Sequence, residues 1–124
     1  MTTLYILRYD PNPINSIFKV GITSKSAQER CDDIRRTLNN GHIKVIWEGK
    51  FIGAYFIEQS IHTFLAPFNV RMPEHVSGYT EFFDLNWLSV RILIAILEIY
   101  QFLFFMLVLS VLGLTLRHFG IFVR

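Results

Sequence analysis

Three segments in the first half of the chain, residues 3–9, 18–23 and 43–51, have the features of β-strands. Residues 3–9 are rich in aromatic and aliphatic residues, and residues 18–23 and 43–51 alternate with the two-residue period typical of half-buried strands. Residues 10–16, between the first two segments, contain two prolines and two asparagines, which favour turns and do not continue a strand. We therefore predict three strands, the first two of which form a hairpin.

Apolar residues at helical spacing predict a first helix over residues 27–40. Ser26 and Glu29 form a capping box, a side-chain pair that satisfies free backbone N–H groups where a helix begins. Gly41 is expected to end this helix as its C-cap. The residues expected on the buried face are Cys31, Ile34 and Leu38.

The same spacing predicts a second helix over residues 54–65. On its neighbouring face Glu58 and His62 lie four residues apart, so that their side chains can meet. Residues 67–78 are expected to form a loop, and residues 79–83 are either a short strand or an extended packing segment. The apolar residues expected in the buried stripe of this helix are Ile57, Ile61, Phe64 and Leu65.

Together these elements predict an α/β fold of the α+β kind. It consists of a small three-stranded antiparallel sheet flanked by helices, in β-β-α-β-α-α order, followed by a C-terminal hydrophobic helix. Residues 1–85 are expected to form the folded domain and residues 86–124 the hydrophobic helix, with Asn86 as its N-cap.

Residues 99–116 contain no charged side chain. A helix of that length is about 27 Å long, close to the roughly 30 Å hydrocarbon core of a bilayer. Glu98 is expected at the membrane interface, because a charge at the membrane centre costs several kcal/mol. The alternative is a buried or interfacial helix, which a chain of this size would hardly cover on all sides. We predict a membrane anchor that spans about residues 99–116.

Charge is divided unevenly along the chain. Residues 1–85 carry nine Lys/Arg and nine Asp/Glu, whereas residues 86–124 carry three Lys/Arg and one Glu. The zero net charge of residues 1–85 argues against a protein that coats nucleic acid non-specifically, but not against a local basic patch. Cys31 is the single cysteine, so no disulfide can form within the chain. Because the N-terminus lacks the pattern of a signal peptide, we expect a membrane-anchored protein with its N-terminal domain in the cytoplasm.

Residues 18–30 concentrate side chains that suit a phosphate. Lys19 falls on the second strand, Gly21 permits close approach of a backbone or ligand, and Arg30 lies in the first turn of the first helix. A helix start offers free N–H groups and a positive dipole end, and arginine adds a forked cation. Further candidates for contact with a nucleic-acid backbone are Lys25, Arg35 and Arg36, for which the alternative is a mixed, solvated helix face.

The order of these features resembles the GIY-YIG endonuclease superfamily, in the branch of phages and large DNA viruses whose second half-motif reads Lys-aliphatic-Gly. The resemblance covers about residues 4–85. Each match is weak when it is taken alone, but all of them occur in the right order and at the right spacing. The matching segments are Leu4-Tyr5-Ile6, Lys19-Val20-Gly21, Arg30, Glu58 with His62, and Thr80-Glu81-Phe82-Phe83.

The resemblance implies a metal-dependent endonuclease that hydrolyses DNA phosphodiester bonds. Glu58 would hold Mg²⁺ or Mn²⁺, since a hard ion accepts one carboxylate together with waters and phosphate oxygens. Arg30 would neutralise charge that develops on the phosphate, and the Tyr5 hydroxyl would orient or activate the attacking water. Lys19 and His62 complete the implied catalytic set. The expected partners are DNA, the membrane and, for double-strand cleavage, a second copy in a homodimer.

Two positions depart from the family pattern. Lys19 stands where the family has its second tyrosine, and Leu4 stands where the first half-motif has its glycine. Lys19 either binds phosphate or acts as a base if burial lowers its pKa. The alternative function is therefore a catalytically inactive nucleic-acid-binding or adaptor module at the membrane. A third hypothesis is a membrane protein whose soluble part mediates assembly.

Overall fold

Three long antiparallel strands form the centre of the fold in the computed structural model, which describes residues 2–11, 16–38, 42–118 and 120. They are β1 (Thr2–Tyr9), β2 (Ile17–Thr23) and β3 (Ile43–Phe51), and all three lie where the sequence predicts them. β1 pairs with β2 on one side and with β3 on the other. The mixed α+β class of the fold is thereby confirmed.

The predicted count of three strands is wrong, because the sheet has five. β4 (Asn69–Val70) and β5 (Phe82–Phe83) extend it beyond β2, in the order β3-β1-β2-β5-β4. A strand of two residues is too short to show an alternating pattern, and β4 falls within the segment predicted as a loop. β5 does fall within residues 79–83, for which a short strand was one of the two alternatives.

The first helix, α1 (Ala27–Arg35), begins as predicted and ends earlier. The Ser26 hydroxyl accepts a hydrogen bond from the Glu29 N–H at 3.1 Å, as the capping box requires. Near the other end the Thr37 hydroxyl donates to the Ile34 carbonyl at 2.7 Å, a local bond that competes with further helix. The predicted C-cap, Gly41, lies outside the residues that the structure describes.

The second helix, α2 (Ala54–Phe64), buries part of the predicted stripe. Ile61 and Leu65 are buried as predicted and Ile57 is half-buried, but the prediction for Phe64 is wrong, because its side chain is 82% exposed. The buried face is turned toward Glu58, which was predicted on the neighbouring face. The buried residues, at helical spacing, are Ala54, Glu58, Ile61 and Leu65. A short 3₁₀ turn (Ala66–Phe68) follows.

The two helices cover opposite faces of the sheet. Ala27, Cys31 and Ile34 of α1 are buried in one apolar cluster with Phe82 of β5. The next residue, Phe83, points to the other face because side chains alternate along a strand, and there it meets the ring of His62 from α2. The strand residues buried with α1 are Tyr5, Leu7, Tyr9, Ile17 and Ile43.

The long C-terminal helix, α3 (Trp87–His118), begins at the predicted N-cap, where the Asn86 side-chain oxygen accepts from the Ser89 N–H at 2.7 Å. The chain divides into two compact units, Met1–Val90 and Arg91–Arg124. Within the described residues, α3 is the one helix that is long and apolar enough to cross a membrane, and only 6% of its most apolar segment is buried.

Candidate active site

Tyr5 and Gly21 are directly paired across β1 and β2, and the tyrosine ring lies against the glycine. A Cβ atom at Gly21 would stand 2.6 Å from the Tyr5 hydroxyl oxygen and 2.8 Å from the ring carbon that carries it. Both distances are shorter than van der Waals contact permits. The glycine of the second half-motif therefore makes room for the tyrosine of the first, and this packing fixes the position of the hydroxyl.

Gly21→Ala is expected to lower the free energy of unfolding by about 1–3 kcal/mol, because the buried Tyr5 ring cannot move aside without disturbing the core. Chemical denaturation measures this change. Combining Gly21→Ala with Tyr5→Phe removes the nearest clashing atom, so the pair should cost less than the sum of the single substitutions. If the double substitution instead cost as much free energy of unfolding as the two single substitutions together, the contact between Gly21 and Tyr5 would not constrain the Tyr5 ring.

Lys19 is completely buried, which is unusual for a lysine. Its ammonium is ion-paired with the Glu81 carboxylate and lies 5.8 Å and 5.7 Å from the ring centroids of Tyr5 and Phe82. Burial lowers the pKa of Lys19, and the neighbouring Glu81 charge opposes that effect. Because the ammonium is already paired with Glu81, a phosphate would have to displace that carboxylate, so of the two roles considered for Lys19, direct phosphate binding does not fit this arrangement.

Arg30 and Tyr5 interact through charge and through a side-chain hydrogen bond. Burial raises the pKa of Tyr5 to about 12, although the Arg30 charge and hydrogen bond act in the opposite direction. The phenol is therefore neutral at physiological pH. Arg30 is only half-buried, and the backbone of the first helical turn fixes it through a bond from its N–H to the Ser26 carbonyl. A charged fork beside a neutral hydroxyl suits the binding of an anion.

Glu58, from the buried stripe of α2, acts electrostatically on both Tyr5 and Lys19. One of its carboxylate oxygens accepts a hydrogen bond of 2.9 Å from the Gln59 amide. Tyr5 of β1, Lys19 of β2, Arg30 of α1 and Glu58 of α2 thus form one electrostatic cluster. These four predicted residues are linked by the charges of Arg30 and Glu58, which act on both Tyr5 and Lys19.

His62, the fifth predicted catalytic residue, contacts the sheet. Its Nε2 lies 2.6 Å from the Val20 carbonyl oxygen, to which it donates, and its ring packs against Phe83 at a centroid distance of 5.4 Å. These contacts fasten α2 to β2. By holding the helix that carries Glu58, His62 contributes to the geometry of the cluster.

The three basic residues predicted to contact nucleic acid pair with aspartates of α1. Lys25 and Arg36 both bind Asp33, at 2.8 Å and 2.9 Å, and Arg35 binds Asp32 at 2.6 Å. Arg35 also donates to the Ile43 carbonyl at 2.8 Å and so holds α1 against β3. A phosphate at these positions would have to compete with the aspartates.

Glu81 is the residue of this cluster that was not predicted as part of the site. The sequence signal was present, because Glu81 begins the Glu-Phe-Phe segment that the resemblance assigned to the end of the domain. Its role becomes visible only when β5 pairs with β2 and places Phe82 opposite Lys19. The preceding residue then lies beside the lysine, although the two are 62 positions apart in the chain.

Comparison with known families identifies the domain that contains these residues. Residues 2–101 match the T5orf172 domain model, a range that includes every residue of the cluster. No curated protein and no solved structure matches the chain. The family match covers most of the chain and agrees with the resemblance to GIY-YIG enzymes at the level of the superfamily. The chain therefore belongs to the T5orf172 domain family, a phage-associated family of the GIY-YIG-like, nuclease-related superfamily.

Proposed function

We propose that the protein is a metal-dependent endonuclease that hydrolyses DNA phosphodiester bonds. The observation that carries this proposal is that Arg30 of α1 hydrogen-bonds Tyr5 of β1 and that the charge of Glu58 of α2 also acts on Tyr5. A hydroxyl, a forked cation and a carboxylate are the groups that phosphodiester hydrolysis needs around a single phosphorus. Membership of a nuclease-related superfamily supports the same reaction.

In this proposal Arg30 binds the phosphate and stabilises the negative charge that develops on its oxygens. Tyr5 keeps its proton at neutral pH, since even the ordinary tyrosine pKa of about 10 is well above pH 7 and burial raises the pKa of Tyr5 to about 12. It therefore acts through its hydroxyl, which accepts a hydrogen bond from the attacking water and aligns that water with the phosphorus. Gly21 keeps the Tyr5 hydroxyl where this alignment is possible.

The residues present could hold a divalent metal ion through a single carboxylate. Within the described parts of the chain, no three His, Cys, Asp or Glu side chains come together to hold a metal, so a cage made only of protein ligands is not available there. Mg²⁺ and Mn²⁺ favour oxygen ligands, and Mg²⁺ is often held by one or two carboxylates together with waters and substrate phosphates. Glu58 would be that ligand, and the bound ion would neutralise charge on the substrate.

We further propose that α3 anchors the enzyme in a membrane, with the N-terminal domain in the cytoplasm. The length and composition of the helix and the exposure of its apolar side chains support this proposal. The enzyme would then meet DNA at the membrane surface. A double-strand break would require either a homodimer or two successive nicks.

The test is the nicking of supercoiled plasmid by the detergent-solubilised protein with Mg²⁺, with Mn²⁺ and with EDTA. Nicking is expected with either metal and should be abolished by EDTA. Glu58→Gln, which keeps the shape of the side chain and removes its charge, should reduce the nicking rate by about 100-fold. Glu74→Gln is the matched control, because Glu74 is exposed and lies outside the cluster.

Two results would contradict the proposal. Nicking that persists in EDTA and in Glu58→Gln would exclude the metal role of Glu58. Metal-independent binding of DNA without any cleavage, in a protein shown to be folded, would select the inactive binding or adaptor module.

A further inference from the structure

Glu81 is held rigidly beside Lys19. Its backbone N–H donates to the Gly78 carbonyl at 3.0 Å, and its carbonyl accepts from the N–H of Val20, the neighbour of Lys19 in β2. Its side chain pairs with the Lys19 ammonium and is 31% exposed, whereas the lysine has no exposure. Glu81 is thus the partly exposed partner of a fully buried cation.

The backbone at Gly78 packs closely against the Lys19–Glu81 ion pair. Gly78 has a φ of +70°, which an L side chain rarely adopts, and a Cβ there would overlap the Lys19 ammonium and lie 3.2 Å from a Glu81 oxygen. The segment that contains Glu81 is therefore shaped to fit over the lysine. An ion pair at the protein surface does not require the backbone to pack this closely against the two charged groups.

We propose that Glu81 is a positioning residue of the site, whose carboxylate keeps the Lys19 ammonium charged and fixed between the rings of Tyr5 and Phe82. This inference rests on the proposed nuclease function. A cation held near an aromatic face is attracted by the ring and restricts its orientation. In this proposal Glu81 acts on Tyr5 mainly by holding Lys19, although its charge also raises the pKa of Tyr5 directly, and it binds neither the substrate nor the metal.

The charges around Lys19 explain why a dedicated partner is needed. Burial and the charge of Arg30 on α1 favour the neutral amine, while Glu81 and, less strongly, Glu58 on α2 favour the ammonium. Tyr5 on β1 keeps its proton and adds no charge of its own. Without Glu81, Glu58 alone would have to balance both burial and Arg30. The lysine would then lose its proton at lower pH.

The first test follows Lys19 directly and does not require catalysis. The chain has four lysines, so NMR of protein with labelled lysine side chains gives four signals, and Lys19→Met identifies the one of interest. In the wild type Lys19 should titrate at lower pH than the others. In Glu81→Gln its midpoint should fall by at least about one further pH unit. An unchanged midpoint would overturn the proposal.

The second test measures plasmid nicking. Glu81→Gln should lower kcat by about tenfold at neutral pH and leave KM within about twofold. The deficit relative to the wild type should shrink as the pH falls, because Lys19 regains its proton. A loss that is the same at every pH would indicate a merely structural role and would overturn the proposal. Glu74→Gln, in the same segment and exposed, is the control.

A double variant covers the case in which Glu81→Gln fails to fold. Lys19→Met combined with Glu81→Gln removes both charges and leaves no unpaired ion in the core. If Glu81 acts mainly through Lys19, the double variant should nick DNA at about the same rate as Lys19→Met alone. A clearly slower double variant would overturn the proposal, as would wild-type activity in Lys19→Met. If the wild type nicks no DNA with either metal, the nuclease function fails, while the NMR titration still decides whether Glu81 controls Lys19.

Discussion

Arg30→Ala is expected to reduce the rate of plasmid nicking by about 1,000-fold and to leave the protein folded. The substitution removes the cation that lies beside the Tyr5 hydroxyl, where charge would develop on the phosphate. A cation or donor that acts mainly in the transition state is worth about 10²–10³ in rate, and an arginine on a transferring phosphoryl group more. Single-turnover nicking with saturating protein measures this loss independently of DNA binding.

The matched control for this prediction is Arg71→Ala, which removes an exposed arginine that contacts only the ring of Tyr79 among the described interactions. It should nick DNA like the wild type. Arg30→Lys keeps the charge but loses the fork, so an intermediate rate is expected. If Arg30→Ala were as active as Arg71→Ala, the cluster around Tyr5 would not be the site of cleavage.

Placing two arginines in the middle of α3 is expected to release the protein from membranes. Leu107→Arg combined with Val108→Arg puts both charges near the centre of residues 99–116, at side chains that are exposed in the structure. Each arginine at the centre of a span costs about 2.5–3.5 kcal/mol of insertion free energy, so the pair should shift insertion by several orders of magnitude. Extraction of membranes with alkaline carbonate measures the fraction that stays inserted.

Leu88→Arg combined with Ile92→Arg is the control for this prediction. It adds the same charge to exposed apolar positions of the same helix, but outside the expected span. This variant should stay in the membrane fraction. If both double variants remained inserted equally, or if the wild type were extracted, α3 would not be a membrane anchor.

Local patterns along the chain were sufficient to predict most of the regular elements. The alternation of apolar and polar residues located β2 and β3, and the aromatic and aliphatic content of residues 3–9 located β1. The Ser26–Glu29 box located the start of α1, because all these signals arise between residues close in sequence. Asn86 and the uncharged residues that follow it located α3 in the same way. The two-residue strand β4 left no such signal, and β5 was located only as one of two alternatives for residues 79–83.

The sequence named the residues of the candidate site but did not predict which of them are buried or what they contact. Lys19 occupies a polar position of an alternating strand, which ordinarily indicates a solvated side chain. It is buried because α1 covers its face of the sheet and Glu81 supplies a charge to pair with it. Glu58 is likewise buried, although the sequence placed it on the face that neighbours the apolar stripe of α2.

The sequence by itself determined the long strands, the start of each helix, the uncharged C-terminal helix and the identity of Tyr5, Arg30 and Glu58 as candidates. Only the tertiary structure decided that Lys19 pairs with Glu81 and that His62 binds the Val20 carbonyl. The physical reason is the separation along the chain of the residues that interact. Helix and strand patterns depend on neighbours within a few residues, whereas these contacts join residues 62 and 42 positions apart and exist only after β5 and α2 have packed on the sheet.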